Sequence, residues 1–437
     1  MKNLLIIAYY FPPSGGPGVQ RVLKNVQYLP EFGWNPIVLT VSNGTFPARD
    51  ESLLAKVPPD TIVERTHIYE PYDLYKKFTR TNASAALDVS VLTTNAEQSF
   101  TKRIANFIRS TFFIPDARIG WMLTAPERGR ELIREHGIHA LYSSSPPYTC
   151  SLIARSLKRS TGLPWIAGLR DPWTEFLTTP KRWWLPRMID RSLEQSVLRE
   201  ADLVECAWQG IITDALRKYP SLNPGKFLHV PNGYDSADFP TVEHTRNTRF
   251  TITYSGSLYG LRNPGILLRA MERLVELGEC TPSDILFRCV GRVGDDVLSS
   301  IAQSPLRDSV EIIPYVPHAE SIAWLLRSDA LLLIVDDAKE SNEIVPGKVY
   351  EYLGVMKPVV AIAPAQSAVA SLLRQTKAGE SIEQGDADAM TSVITTLYRR
   401  WKNKTPLYEP IHSEITKYER REAARILAKT LDGMVGE

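Results

Sequence analysis

Short apolar runs alternate along the whole chain with stretches in which apolar residues recur every three or four positions. In the first half the runs fall at 4–8, 36–41, 61–65, 140–143, 165–169, 203–206 and 227–230. Most are continuous rather than alternating, which suits strands of a parallel sheet covered on both faces. Helical periodicity fills the gaps, at 19–29 and at 188–199, where Ile189, Leu193 and Val197 fall four apart. The second half repeats the style, with strands expected at 251–255, 285–290, 310–313, 330–335 and 359–363 and helices at 264–277, 320–326 and 348–354.

A polar stretch at 233–249, containing Pro240, marks the joint between the halves. The pattern predicts an α/β fold of two doubly wound domains, 1–235 and 236–410, with a further helix in 411–437. Ligands of such sheets bind beyond the carboxyl ends of the strands, so the cleft between the domains is the expected site. The region 71–115 breaks the alternation. Its 83–95 segment is small and polar and reads as a loop. Phe100, Ile104, Phe107, Ile108 and Thr111 then share one helical face, with Lys102, Arg103 and Arg109 elsewhere on it. This helix either lies at a membrane interface or packs on its own domain with a solvated basic face. The stretch KRWWLPR, from Lys181 to Arg187, poses the same choice through Trp183 and Trp184.

Length agrees with two domains, since 437 residues exceed one ordinary core. The 51 basic side chains nearly balance 49 acidic ones, and a net charge of +2 gives no case for nucleic acid as a partner. Cys150, Cys206, Cys280 and Cys289 include no C-x-x-C pair and no histidine cluster joins them, so neither a zinc nor a redox site is expected. Near the N-terminus, Tyr9-Tyr10-Phe11-Pro12-Pro13 interrupts the apolar run before it resembles a signal peptide. No run reaches the roughly 18 apolar residues of a membrane span. The expectation is a cytoplasmic protein with reduced thiols, with peripheral contact at the inner face of the membrane left open by the basic aromatic stretches.

The first strand candidate leads through FPPSGGPGVQR into a helix, the arrangement many proteins use to hold a phosphate. A P-loop is excluded, because no Gly-Lys-Ser or Gly-Lys-Thr occurs. A dinucleotide fingerprint fails at its third glycine, where Arg21 stands, and the second strand, PIVLTVSNG, lacks the acidic residue expected at its end. What remains is either a loop whose Gly15 and Gly16 let backbone approach a ligand, or a bare strand-to-helix turn.

The informative stretch is ESNEIVPGKVYEYLGVMKPVVAIAP, residues 340–364, in which seven residues separate Glu343 from Glu351. Here the chain resembles the retaining GT-B glycosyltransferases of family 4, whose signature is an E-x7-E element followed by a small-residue helix and G-K-P-V. Met356 stands where that glycine usually lies. YYFPPSGGPGVQR, HVPNGYDSADF, YSGSLYGLRNP and LRSDALLLIV resemble further segments of the same family, and the helix at about 418–434 resembles the one that crosses back to the first domain.

The resemblance implies a nucleotide-sugar donor, a glycan or lipid-linked acceptor, and no cofactor or metal. It implies that a basic pair stabilises the departing diphosphate, and by position Arg262 and Lys348 are the candidates, with Gly347 offering an N–H; Ser257 replaces the family's usual arginine. Glu351 would accept from ribose hydroxyls, and Glu343 would lie near the transferred sugar. Relatives place a histidine on the first domain where WIAGLRDPW offers Asp171. Asp171 is read either as a contact to the sugar or acceptor hydroxyl, or as a helix N-cap before Pro172. A nucleotide-sugar epimerase and a non-catalytic scaffold for glycan assembly are the alternatives on this fold.

Overall fold

In the first strand, Leu4, Ile6 and Ala8 enter one apolar cluster while Leu5 and Ile7 enter another. Successive strand side chains point to opposite faces, so a continuous apolar run is buried on both. The structure, a computed structural model, describes residues 1–70, 110–111, 113–176, 179–243, 246–260, 262–335, 343 and 345–436. The loop read at 83–95 and residues 100–109 of the basic amphipathic stretch lie outside the described residues.

The chain forms two compact units, Met1–Pro231 with Ala423–Glu437, and Asn232–Glu422. The first is built on seven parallel strands: β1 (Lys2–Ala8), β2 (Trp34–Val41), β3 (Ile62–Thr66), β4 (Ile138–Ser145), β5 (Trp165–Leu169), β6 (Leu203–Cys206) and β7 (Phe227–His229). They run in the order β3-β2-β1-β4-β5-β6-β7. The second holds six, again parallel: β8 (Phe250–Ser255), β9 (Ile285–Val290), β10 (Val310–Ile313), β11 (Ala330–Ile334), β12 (Val359–Ile362) and β13 (Gly379–Ile382), in the order β10-β9-β8-β11-β12-β13. In each parallel sheet the order of the strands reverses once, between β1 and β4 and between β8 and β11. These are the topological switch points at which open α/β sheets bind ligands.

Helices cover both faces of the first sheet. Val22 and Val26 of the Pro17–Tyr28 helix pack with Leu4, Ile6 and Val38, and Leu427, Ala428 and Leu431 of the Arg420–Val435 helix join that same cluster. That helix is pinned through Asp432, which accepts from Lys2 Nζ at 3.2 Å and from Trp34 Nε1 at 3.1 Å. In the second sheet Ala330, Leu332 and Ile334 face one cluster, and Leu331 and Leu333 the other. All five are fully or nearly buried, so Leu332→Ala would cost about 2–5 kcal/mol. Each unit is a doubly wound α/β domain on a parallel sheet, as the pattern of runs and periodicities predicts. β13 is the strand that pattern misses.

Candidate functional site

At the switch point of the second sheet, Ser255 ends β8 and spends all its polar groups on neighbouring elements. Its N–H donates to Tyr352 Oη at 2.9 Å, its Oγ lies 2.6 Å from Ser321 Oγ, and its carbonyl accepts from Lys348 Nζ at 3.0 Å. Tyr352 and Lys348 belong to the Gly347–Val355 helix, and Ser321 to the His318–Leu326 helix. One residue thus locks two helices to the end of the central strand. Lys348 Nζ also donates to Tyr254 Oη at 3.1 Å and lies 4.6 Å from the centre of that ring.

Beyond Ser255 the chain continues beside the loop that follows β9. Gly256 N donates to the Val290 carbonyl at 2.8 Å, Leu258 N to the Arg292 carbonyl at 2.8 Å, and Gly294 N to the Leu258 carbonyl at 2.7 Å. Gly256 and Gly291 adopt φ of 129° and 132°, which side-chain-bearing residues rarely reach. A Cβ on Gly291 would collide with the Gly256 carbonyl, and one on Gly256 would stand 2.6 Å from Lys348 Nζ. The two loops therefore meet backbone to backbone. Together they line a pocket of about 330 Å³ bounded by Ser255, Gly256, Ser257, Arg292, Tyr315 and Ser321.

Arg292 brings a cation to the pocket lining, and Lys348 stands beside the pocket on the Ser255 carbonyl. Lys348 sits in the first turn of a helix, where the macrodipole is positive and a cation is disfavoured. A bound phosphate would relieve that repulsion and meet the N-terminal field as well. Glu351, one turn further on, accepts from His318 Nε2 at 2.8 Å. Gly347 is exposed, and a Cβ there would meet no atom within 4 Å. Arg262 is half-buried on the β8-to-helix loop, its guanidinium 5.8 Å from the Tyr259 ring centre. The arginine that lines the pocket is Arg292, which the sequence reading did not single out. Its signal was the loop VGRVGD, a glycine turn after β9 that matches the one after β8. Glu343 is exposed, and its neighbours 336–342 and 344 lie outside the described residues.

The first unit presents a second constellation at the carboxyl ends of its strands. Gly15 N donates to the Ala48 carbonyl at 2.9 Å, and Gly16 caps the Pro17–Tyr28 helix with φ of 87°. A Cβ on Gly18 would lie 3.3 Å from Tyr10 and 3.5 Å from Arg170 Nη2, so the glycine loop runs close beside the Arg170-Asp171 pair. Arg170 donates to Ser144 Oγ at 2.6 Å and to the Pro146 carbonyl. Burial raises the Asp171 carboxyl above its ordinary range, and Arg170 partly opposes the rise. No helix begins at Asp171, since the next one starts at Trp184. Arg21 is buried, with its guanidinium paired to Glu205 and bonded to the Val230 carbonyl at 2.8 Å. Arg21 is therefore a structural residue.

The Asp171–Thr174 segment is clamped by buried charge. Tyr148 stacks on Trp173 with ring centres 4.5 Å apart, and its hydroxyl donates to the Pro172 carbonyl at 2.6 Å. Trp173 Nε1 donates to Asp190 Oδ1 at 2.8 Å, and Arg182 pairs with Asp190 Oδ2 at 2.9 Å. Arg182 also donates to the carbonyls of Ser110, Phe113 and Pro115. Thr174 Oγ1 donates to Glu194 at 2.5 Å. Beside this frame Trp184 and Met188 stand 70% and 58% exposed. Among the described residues, no group of three or more His, Cys, Asp and Glu could hold a metal ion, and no helix is long and apolar enough to cross a membrane.

Residues 77–238 match the family Glycosyltransferase Family 4, and residues 249–400 match Glycosyl transferases group 1. Together the matches span more than two thirds of the chain, which belongs to the GT4-type GT-B glycosyltransferases. A glycosyltransferase from Rickettsia africae aligns over 100% of this chain and 99% of its own, with 13% identity and a TM-score of 0.61. TarM from S. aureus, solved in complex with Fondaparinux, alpha-GlcNAc-glycerol and UDP, aligns over 99% and 100% at 10% identity and a TM-score of 0.56. WaaG, a glycosyltransferase involved in lipopolysaccharide biosynthesis, aligns over 100% of both chains at 12% identity and a TM-score of 0.51. At these identities the likeness is one of fold. The chain has no significant match among curated protein sequences.

Proposed function

We propose that this glycosyltransferase moves a sugar from a nucleotide-sugar donor to an acceptor hydroxyl with retention of anomeric configuration, in the assembly of a surface glycan. The observation that carries the reading is the Lys348 ammonium, held on the Ser255 carbonyl at the switch point beside two touching glycine loops. The donor's diphosphate would lie against Gly256 and Ser257, with Lys348 and Arg292 meeting its charge. As the bond from the sugar to the diphosphate breaks, the electron pair leaves on the phosphate oxygen. Fixed cations and backbone N–H groups stabilise that growing charge without reorganising, and no metal or cofactor is required in this scheme.

Glu351 would accept from the ribose hydroxyls, Gly347 would offer its N–H, and Glu343 would lie by the transferred sugar. Arg262 would supplement the cations from its loop. Gly15, Gly16 and Asp171 would serve from the first unit. A carboxyl whose proton affinity is raised by burial is suited to take the acceptor proton as the new bond forms. Trp183, Trp184 and Met188, flanked by Lys181 and Arg187, are read as a peripheral contact with an anionic membrane at which a lipid-linked acceptor is presented. The test is proton NMR of the product formed from whichever nucleotide sugar in a panel is turned over. Product with the donor's anomeric configuration is expected. An inverted anomer would overturn retention, and no turnover across donors and acceptors would overturn transfer.

A further inference from the structure

His318 Nε2 lies 2.8 Å from Glu351 Oε1. An ionised carboxylate has no proton to give, so Nε2 carries the hydrogen and donates it. The two residues come from different helices. His318 opens the His318–Leu326 helix, and Glu351 lies in the second turn of the Gly347–Val355 helix. Both helices are fastened to Ser255, one through Ser321 Oγ at 2.6 Å and the other through Tyr352 Oη at 2.9 Å. His318 is 58% exposed and Glu351 32% by side chain, so solvent weakens the attraction between them. The shared anchorage nonetheless holds the two backbones in register and makes the contact a built one. The same His318 helix lines the pocket through Ser321.

We infer that His318 is a positioning residue for ribose recognition. Its hydrogen bond fixes the Glu351 carboxylate at one angle, leaving the remaining acceptor positions to meet both vicinal hydroxyls of a nucleoside diphosphate. The inference rests on the reading that this pocket holds the donor nucleotide. A carboxylate offers about four lone-pair sites, of which His318 takes one. A vicinal diol presents two O–H donors at a set spacing, and a carboxylate already oriented accepts both without losing further rotational freedom. A site arranged to bond a hydroxyl discriminates against the ligand that lacks it. The consequence is selectivity for ribonucleotides over 2′-deoxyribonucleotides that depends on His318.

The experiment is calorimetric titration of the full chain with UDP, GDP and ADP, with the 2′-deoxy form of whichever binds, and with inorganic pyrophosphate. Wild type should favour the ribonucleotide by about tenfold. His318→Ala should cut that preference to about threefold or less, with pyrophosphate affinity kept within about twofold. His318→Gln, whose amide N–H can donate, should restore most of the preference and decides the matter if the alanine variant melts before wild type. An undiminished preference in both variants would overturn the inference. So would a pyrophosphate affinity that falls in step with the nucleotide's, since that marks general damage to the pocket. If wild type binds none of the three nucleoside diphosphates, the donor-site reading itself fails.

Discussion

Lys348 Nζ lies 3.0 Å from the carbonyl oxygen of Ser255, and the neighbouring Gly256 leaves it room: a Cβ there would approach the ammonium to 2.6 Å. The lysine's position and the glycine's lack of a side chain are one feature. Gly256→Ala is expected to displace Lys348 and weaken nucleoside diphosphate binding at least about tenfold, with some loss of stability because φ is 129°. Gly347→Ala gives the contrast, since a Cβ there meets no atom within 4 Å. It should leave the unliganded fold intact, so any fall in affinity, read by calorimetry, reports the ligand's own approach to that helix end. Normal binding by Gly256→Ala would detach Lys348 from the donor site.

Asp171 carries a cost in stability. Its carboxyl is raised above the ordinary value of 3.8, chiefly by burial, so the folded state holds the proton more tightly than the unfolded one. Stability associated with the protonated form is complete below that ordinary value and is lost as pH rises through the folded-state value. Asp171→Asn should therefore melt higher than wild type at neutral pH, by roughly 1–3 °C, with the gap closing as pH falls toward 4. Turnover should drop by about 10²-fold or more. Scanning calorimetry at three pH values, beside one activity assay, reads both effects. A variant that is less stable and fully active would reverse the assignment.

The Trp173–Asp190–Arg182 chain should behave as structure. Arg182 and Asp190 are 3% and 2% exposed, and removing one partner strands a buried charge. Asp190→Ala is expected to destabilise the first unit by about 3–5 kcal/mol, read as a lower urea midpoint. Asp190→Asn keeps an acceptor for Trp173 Nε1 and should cost less. Equal losses would show that the indole bond adds little.

Trp183→Ala with Trp184→Ala should lower co-sedimentation with vesicles rich in phosphatidylglycerol, with only a small fall in melting temperature from the lost Trp183 Nε1 bond to Thr111 Oγ1. Trp184 is largely solvent-exposed, so its loss removes little packing. Binding should fall as salt is raised, because part of the attraction to anionic lipid is screened. Unchanged sedimentation by the double variant would remove this surface from the membrane.

Much of the fold was legible because a strand buried on both faces must be apolar throughout. The runs at 4–8 and 330–335 announced themselves in that way. β13 did not, because its four residues, Gly379–Ile382, include a glutamate and a serine on an edge strand. Glu351 could be found from its seven-residue separation from Glu343, and Lys348 from its position in the resemblance that this element carries. Arg292 was marked only by the glycine turn VGRVGD and His318 by nothing, since their roles depend on which loops the sheet order brings beside β8. The clamp on Trp173 was equally hidden, because Asp190 and Arg182 read as ordinary surface charges until the helix from Trp184 turns Asp190 inward to meet Arg182.

The account's central claim is that Lys348 and Glu351 hold the donor in the second unit. Its most direct test is the release of nucleoside diphosphate from a nucleotide-sugar panel by wild type, Lys348→Ala and Glu351→Ala, each first shown to melt like wild type. The account predicts release by wild type, and a fall of about 10²–10³-fold in turnover for Lys348→Ala. For Glu351→Ala it predicts a rise in KM larger than any fall in kcat. Wild-type turnover by both variants would contradict it.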